Sequence, residues 1–289
     1  MPPVISPLDE HGGVDAPALA GLVEHILCGG GAGLFVLGGC GEGSWLTAEQ
    51  RSGVVRAAVA AAGSRAPVLA GVMLPATGPA AEAARRAAGD GAAAIVAGSP
   101  YYFQVDAAAQ RRHIEALLDA TDLPVLLYNI PPSTHHVLTP ETVAALAADP
   151  RVLGIKDSAG DLDAFSGFVA VKERRPDFRV LQGSERVMAD SLLRGGDGLV
   201  PGLGNVAPAL FVALIDAVRR GDEATARRLQ AQIDDLGTLH AEGHWLPALK
   251  SACARIGYGN GRPAPPLEAL DAAGAERVAA IVSRAAVLR

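Results

Sequence analysis

The stretch 124–157, PVLLYNIPPSTHHVLTPETVAALAADPRVLGIKD, holds the pattern that decides the fold. Two short apolar runs, Pro124–Ile130 and Val152–Lys156, have the length and the valine, leucine and isoleucine content of buried parallel strands. Between them Thr139 precedes a proline and a glutamate, a typical helix start that predicts a helix over Pro140–Ala148. A strand, a helix and a second strand in this order predict two parallel strands joined by a helical crossover.

The same strand-then-helix unit recurs along the whole chain. Eight such repeats predict an α/β fold of the closed (β/α)8 type, a TIM barrel. A doubly wound sheet is the alternative, but no G-x-G-x-x-G nucleotide fingerprint follows the first strand. The predicted strands are Pro3–Ser6, Gly33–Gly38, Pro67–Val72, Ala92–Ala97, Pro124–Ile130, Val152–Lys156, Arg179–Gln182 and Gly198–Val200.

The end of the chain adds helices to this barrel. The only linker-like stretch, Gly257–Pro266, lies too near the C-terminus to separate two full domains. We therefore expect a catalytic barrel over residues 1–221 and a C-terminal helical extension over residues 222–289 that packs on it. The additional helices are predicted over Asp222–Leu239, Trp245–Ile256 and Ala275–Ala286.

Composition excludes several classes of protein. The net charge of −6 argues against a surface that binds nucleic acid or an anionic membrane. No window supplies the roughly 18 consecutive apolar residues of a membrane span, and the first residues lack the basic and apolar regions of a secretion signal. Cys28, Cys40 and Cys253 are widely spaced, which favours reduced thiols over disulfides or a zinc site. We therefore expect a cytoplasmic protein without a metal.

Lys156 is the most unusual residue of the sequence. Lys156, Lys172 and Lys250 are the only lysines among 25 basic residues, so arginine supplies charge wherever charge alone is needed. Lys156 closes an apolar strand, and barrel enzymes place their sites at the C-terminal ends of the strands. Burial there favours the neutral amine, which attacks a ketone to make an imine. The alternatives are an ion pair with Asp157 or another carboxylate, or an amine that reaches water. Lys172 is expected at a solvated helix end and Lys250 in a structural role.

Other candidate groups follow neighbouring strands. Tyr128 is suited to moving protons beside an imine-forming lysine, although a core tyrosine with a satisfied hydroxyl fits the same position. The glycines of GGCG at 38–41 allow backbone N–H groups to approach a carboxylate closely, and a tight turn is the alternative. Tyr101 and Tyr102 follow a further strand, where paired aromatic side chains either serve the site or only pack.

Four motifs spread over the chain resemble one enzyme family. GGCGE at 38–42 is similar to its G-[ST]-T-G-E loop, and PYY at 100–102 is similar to its P-[YF]-Y segment. YNIP at 128–131 matches its Y-N-[IVF]-P segment, and GIKD at 154–157 matches its G-[IV]-K-[DE] segment. On these residues the chain resembles the dihydrodipicolinate synthase/N-acetylneuraminate lyase family of class I, pyruvate-dependent aldolase barrels.

The resemblance implies three catalytic roles. Lys156 is expected to form a Schiff base with pyruvate or another 2-oxo acid, so that a covalent imine takes the place of any cofactor. Tyr128 is expected to carry protons to and from the reacting oxygen. Tyr102 is expected to reach the site of a neighbouring subunit, because the resemblance implies a homo-oligomer, a dimer or a tetramer.

The resemblance also implies substrate contacts, and the sequence departs from the family at some of them. The backbone of Gly39 and Cys40 is expected to hold the 2-oxo acid carboxylate, with the carbonyl of Val200 near the nucleophilic end. Gly39 lacks the family's hydroxyl, and the Cys40 thiol is a weaker donor than a second hydroxyl. Ser133 stands where the dihydrodipicolinate branch has an arginine, and serine cannot grip a carboxylate in two places. His135 is expected to contact the second substrate, or else to lie in a surface turn.

These residues favour a lyase or aldolase that joins or separates pyruvate and an aldehyde, with a 2-oxo-3-deoxy sugar acid or a related compound as substrate. Within the same chemistry the alternatives are a 4-hydroxy-tetrahydrodipicolinate synthase and a sugar-acid dehydratase. From another class, a non-catalytic 2-oxo acid sensor keeps the pocket without the reaction. A phosphate-binding barrel is suggested by the glycines of GLGN at 202–205, but no basic residue lies nearby in the sequence.

Overall fold

A computed structural model of the chain describes residues 1–287, with the side chains of residues 1–285. Its sheet has seven strands, and each strand is parallel to and paired with the next one in sequence order. Helices connect the strands, which confirms the predicted α/β barrel with additional C-terminal helices. The strands are β1 (Leu34–Val36), β2 (Val68–Gly71), β3 (Ala94–Gly98), β4 (Val125–Asn129), β5 (Val152–Asp157), β6 (Arg179–Gln182) and β7 (Gly198–Leu199).

The helix predicted over Pro140–Ala148 begins at Pro140 but ends at Leu146. The helix after β5 ends at Ala170, and a 3₁₀ turn over Val171–Glu173 follows it. The α-helices are α1 (Ala16–Cys28), α2 (Ala48–Ala62), α3 (Thr77–Gly89), α4 (Ala107–Ala120), α5 (Pro131–Thr134), α6 (Pro140–Leu146), α7 (Leu162–Ala170), α8 (Met188–Leu193), α9 (Pro208–Arg219), α10 (Glu223–Gly237), α11 (Trp245–Arg255) and α12 (Ala272–Val287).

The segment predicted as the first strand, Pro3–Ser6, is not a strand; it makes a single parallel bridge between Pro3 and Phe35. Two consecutive prolines, Pro2 and Pro3, have no N–H to donate, so a regular ladder cannot form along this segment. The segment still takes the position of an eighth strand. Val4 N–H donates to the carbonyl of Phe35 on β1, and the nitrogen of Met1 donates to the carbonyl of Leu199 on β7.

Asn205 completes the connection between this segment and the last strand. Its side chain is fully buried, and its Oδ1 accepts from the N–H of Ile5 at 3.1 Å. Its Nδ2 donates to the carbonyls of Pro3 at 2.9 Å and Gly202 at 2.7 Å. One amide side chain therefore satisfies backbone groups that a full strand would have paired.

Two apolar layers surround the strands. The larger layer lies between the strands and the helices. The smaller one fills the barrel and includes Phe35, Leu69, Val96, Tyr128 and Val200. Alternate strand residues face the two layers, so polar side chains that face the barrel interior are brought towards its axis.

The C-terminal helices pack on the barrel and reach its mouth. Helix α10 packs against α8 and α9, and α11 packs against α12. Lys250 of α11 is buried and forms an ion pair with Glu42, in the loop after β1, at 2.5 Å. It also donates to the carbonyl of Ser6 at 2.9 Å, and Glu42 accepts from the N–H of Ala264. The structural role expected of Lys250 is thus to join the C-terminal extension to a barrel loop.

Within residues 1–287, no helix combines the length and the apolar character that crossing a membrane requires. The division into a barrel over 1–221 and an extension over 222–289 remains a prediction, and the last two residues of that extension lie outside the described part of the chain.

We predict that Asn205→Ala destabilises the protein by about 3 kcal/mol, because it leaves buried backbone groups without partners. Asn260→Ala serves as the control, since Asn260 is exposed and bonds only the carbonyl of Leu8 and the N–H of Arg262. The control should lose about 1 kcal/mol. Urea unfolding followed by circular dichroism measures both variants, and equal losses would contradict the role given to Asn205.

Candidate active site

The pairing of β4 with β5 brings Tyr128 and Lys156 together. Their Cα atoms are register partners, and Lys156 Nζ donates a hydrogen bond to Tyr128 Oη at 3.0 Å. Both side chains are buried, with 3% of Lys156 and 4% of Tyr128 exposed. The strand-end residues that the sequence singled out therefore form one buried amine–phenol pair.

A β-bulge sets this register. Val125 pairs with Val152, but Leu126 pairs with Gly154, so Leu153 is left out of the ladder and stands partly exposed. Without the extra residue, Tyr128 would lie opposite the residue before Lys156. A Cβ on Gly154 would lie 2.0 Å from the carbonyl oxygen of Arg179 on β6, so only glycine allows the strands to approach here.

Aromatic rings surround the amine. Lys156 Nζ lies 4.1 Å from the ring centroid of Tyr128 and 5.0 Å from that of Phe35. The rings of Phe35 and Tyr128 meet edge to face, with centroids 5.9 Å apart. Ring faces attract a cation but do not neutralise it as a carboxylate does. The amine is therefore oriented without being locked in an ion pair.

The alternative in which Lys156 pairs with Asp157 is wrong. Neighbouring strand residues point to opposite faces, and Asp157 Oδ1 instead accepts from Asn129 Nδ2 at 2.7 Å and from the N–H of Ala159 at 3.3 Å. Asp157 Oδ2 is buried and has no hydrogen-bond partner. Burial raises the pKa of Asp157 above its ordinary value.

The other two lysines are paired with carboxylates. Lys250 pairs with Glu42, and Lys172 lies 2.9 Å from Asp197 Oδ1. Lys172 lies in the 3₁₀ turn that follows α7, where it is partly exposed and also donates to the carbonyl of Gly195. Within the described residues, Lys156 is the lysine that has a phenol and no carboxylate as its partner.

Gly183, which the sequence analysis did not single out, gives Lys156 its room. A Cβ at this position would lie 2.7 Å from Lys156 Cε and 2.1 Å from Ser158 Oγ. Any larger residue would push the lysine side chain off its present path. The available sequence signal was a glycine directly after a barrel strand, next to the strand that carries the lysine.

The loop after β1 is wound tightly enough to require its glycines. A Cβ on Gly43 would lie 2.0 Å from the carbonyl oxygen of Leu37, and Leu37 and Glu42 both have positive φ. Cys40 is buried in this loop, and burial raises the pKa of its thiol to about 12. The thiol therefore stays protonated and can act only as a weak hydrogen-bond donor.

A cavity of about 330 Å³ opens above Tyr128 at the C-terminal ends of the strands. It lies between the loop after β1, the loop after β4 and the start of α11. Its walls are mainly apolar, and none of the residues that line it is a lysine or an arginine. They are Leu37, Gly38, Gly39, Glu42, Ser44, Trp45, Met73, Tyr101, Tyr128, Ile130, Ser133, Thr134, His244, Trp245 and Leu246.

The structure brings most of the predicted site residues to this region. Gly39, Tyr128 and Ser133 line the cavity directly. Val200 packs beside Tyr128 in the barrel interior, and Lys156 lies beneath the cavity at the Tyr128 hydroxyl. These five residues therefore lie close together, and the role of each one in the reaction remains a prediction.

Two predicted site residues lie elsewhere in the single chain. Tyr102 is 81% exposed and contacts Phe103, while the adjacent Tyr101 lines the cavity. His135 is exposed, has a positive φ at the end of α5 and does not line the cavity. Its neighbour His136 is buried and accepts from the N–H of Val105 at 2.9 Å, which ties together two loops of the mouth.

The sequence analysis missed the contribution of the C-terminal extension to the cavity. His244 and Trp245 begin α11, and Trp45 follows the glycine loop after β1. Trp45 and Trp245 are the only tryptophans of the chain, a signal that composition offered. No group of three or more histidine, cysteine, aspartate or glutamate side chains in the described residues has a metal-binding arrangement.

Comparison with known proteins gives consistent matches over the whole chain. The dihydrodipicolinate synthetase family matches residues 1–285. The Escherichia coli K12 protein named probable 2-dehydro-3-deoxy-D-pentonate aldolase YjhH is 36% identical over 243 residues, which cover 83% of this chain and 81% of YjhH. A 4-hydroxy-tetrahydrodipicolinate synthase from Hyphomonas neptunium is 36% identical, with 94% of this chain and 93% of the synthase covered.

A solved structure matches as well. It is the crystal structure of YagE from Escherichia coli K12 in complex with pyruvate, a prophage protein of the dihydrodipicolinic acid synthase family. The two folds superpose with a TM-score of 0.93 at 31% identity, and 99% of this chain and 97% of YagE are covered. The chain therefore belongs to the dihydrodipicolinate synthetase family and is a class I, pyruvate-dependent lyase or aldolase, a chemistry in which a lysine Schiff base takes the place of a cofactor.

Proposed function

We propose that this enzyme cleaves a 2-oxo-3-deoxy sugar acid, or a related 2-oxo acid, into pyruvate and an aldehyde, or catalyses the reverse addition. Lys156 is the Schiff-base residue and Tyr128 the proton shuttle in this proposal. The observation that carries it is the 3.0 Å contact between Lys156 Nζ and Tyr128 Oη, at the base of a cavity and without a carboxylate on the amine.

The proposed reaction starts with attack of the Lys156 amine on the C2 ketone of the substrate. Loss of water then leaves a cationic imine, which accepts the electron pair of the C3–C4 bond as that bond breaks. Tyr128 Oη, next to the amine, gives its proton to the departing water, and the resulting phenolate takes the proton of the C4 hydroxyl so that the aldehyde can leave. Tyr128 then protonates the enamine at C3, and water hydrolyses the imine to release pyruvate and the free lysine, with the last proton returning to Tyr128.

The loop after β1 is proposed to hold the substrate carboxylate. Gly39 lines the cavity, and Cys40 follows it in the same tightly wound loop. Backbone N–H groups of such a loop bind anions without a cationic side chain. Because the Cys40 thiol stays protonated, it adds no negative charge near the carboxylate. The Val200 carbonyl, directly after β7, is proposed to face the carbon that becomes nucleophilic.

Aldolases of sugar acids and 4-hydroxy-tetrahydrodipicolinate synthases both occur among the relatives at similar identity, so the preference for sugar-acid cleavage rests on the residues of the cavity. A synthase must bind an aldehyde that carries a carboxylate, and Ser133 in the cavity wall cannot provide a bidentate cationic grip. A dehydratase would share the imine at Lys156 and differ in its product. Membership of an enzyme family disfavours the non-catalytic sensor.

We also propose that the enzyme works in the cytoplasm as a homo-oligomer, a dimer or a tetramer. The cysteines Cys28, Cys40 and Cys253 are free thiols, in keeping with a reducing compartment. Tyr102 and Phe103 are large exposed aromatic side chains, in keeping with a second subunit that covers them.

We predict that incubation with pyruvate and borohydride adds one reduced pyruvate to Lys156, because the imine formed there is trapped as a stable amine. Peptide mass spectrometry locates the adduct. Lys156→Met should lose the adduct, whereas Lys172→Met should keep it, since Lys172 pairs with Asp197 at the surface. An adduct on another lysine, or none, would contradict the assignment of Lys156.

We predict that Tyr128→Phe lowers kcat by roughly 10²–10⁴-fold, because the proton shuttle is lost while the apolar ring remains. Pyruvate release from the substrate measures the effect. Tyr258→Phe is the matched control, since Tyr258 packs against His25 and does not line the cavity above Tyr128. Equal activity of the two variants would show that the Tyr128 hydroxyl does not transfer protons during the reaction.

A further inference from the structure

We propose that Trp45 and Trp245 select the aldehyde half of the substrate, and that this half is uncharged and presents an apolar face to the two indole rings. The inference rests on the proposed function, because it concerns the outer end of the same cavity. It limits the substrates to 2-oxo acids whose aldehyde product carries neither a carboxylate nor a phosphate.

The positions of the two tryptophans place them at the outer end. Both line the cavity, yet Trp45 is 46% exposed and Trp245 is 39% exposed. Tyr128, which marks the reacting end, is 4% exposed. A substrate whose C2 carbon reaches Lys156 must therefore extend its aldehyde half outwards, past the two indole rings.

Trp245 stands on a helix that is anchored to the barrel. It is the first residue of α11 and stacks on His244, with ring centroids 5.8 Å apart and an interplanar angle of 29°. His244 Nδ1 accepts from the N–H of Leu246 at 3.3 Å and so caps the helix. The buried pair between Lys250 and Glu42 holds the same helix to the loop after β1. A side chain fixed in this way is suited to shape recognition.

Gly39 opens the space in front of this ring. A Cβ on Gly39 would meet one atom within 4 Å, which is Trp245 Cη2 at 3.9 Å. The volume that a hydroxyl side chain would occupy is therefore left to the substrate, and Trp245 forms its far wall. Gly39, which replaces the hydroxyl residue of the family, and Trp245 of the C-terminal extension thus shape the same part of the cavity.

The cavity offers no lysine or arginine as partner for a second negative charge. No lysine or arginine lines it, and Lys156 is bonded to the substrate as an imine during the reaction. Glu42, the carboxylate in the wall, is already paired with Lys250. An anionic group at the outer end would lose water without gaining a cation, which is costly. Indole rings and neighbours such as Met73 and Ile130 instead favour apolar faces, including the C–H face of a polyol chain or an aryl ring.

Two matched pairs of compounds test the charge selection. The pair for the cleavage reaction is 2-dehydro-3-deoxy-D-gluconate and its 6-phosphate. The pair for the addition reaction is benzaldehyde and 4-carboxybenzaldehyde, and aspartate semialdehyde serves as a further anionic aldehyde. We expect kcat/KM to be at least about tenfold higher for the uncharged member of each pair that is turned over. Equal or faster turnover of the anionic members overturns the inference. Absence of a pyruvate adduct at Lys156 would instead refute the proposed function.

Variants of Trp245 test its role separately. Trp245→Ala should raise KM for the uncharged substrate about tenfold and change kcat less, with Trp245→Phe restoring most of the loss. Trp245→Arg should narrow the preference for uncharged aldehydes, an effect that structural damage would not produce. Leu193→Ala, at a residue 39% exposed and outside the cavity, is the control that keeps wild-type KM. Unchanged KM in Trp245→Ala, or unchanged charge preference in Trp245→Arg, overturns the role of Trp245.

Discussion

The register between β4 and β5 is the constraint on which the site depends. A single bulge at Leu153 places Tyr128 opposite Lys156, and Gly154 permits the close approach of β6 on the other side of the strand. A strand shifted by one residue would turn the lysine towards the helices and bring Asp157 into the barrel. An amine beside a carboxylate would be held as a paired cation, which is a poor nucleophile. The chemistry of the cavity thus follows from backbone pairing.

The C-terminal extension supplies more to the cavity than stability. Lys250 and Glu42 form a buried pair between α11 and the loop after β1, and both charges have further hydrogen-bond partners. Such a pair adds little net free energy compared with an apolar contact, but it holds two elements in one arrangement. Here it fixes the glycine loop that is proposed to bind the carboxylate relative to Trp245. The reacting end and the outer end of the cavity are therefore positioned by one contact.

Much of this arrangement could be predicted from the sequence. Apolar runs of strand length and repeated helix starts predicted the barrel, and the rarity of lysine directed attention to Lys156. The first strand could not be predicted correctly, because its backbone bonds depend on Asn205, about 200 residues away in sequence. Trp245 was missed for the same reason, since it contacts the site only through packing of distant segments. Local patterns predict elements, whereas contacts between distant segments have no local pattern.

The most direct test of the central claim is a crystal structure of the enzyme after soaking with pyruvate. The account predicts continuous electron density from Lys156 Nζ to C2 of pyruvate, Tyr128 Oη within about 3 Å of the new imine, and the carboxylate at the backbone of Gly39 and Cys40. Pyruvate bound without a covalent bond, or attached to a different residue, would contradict it.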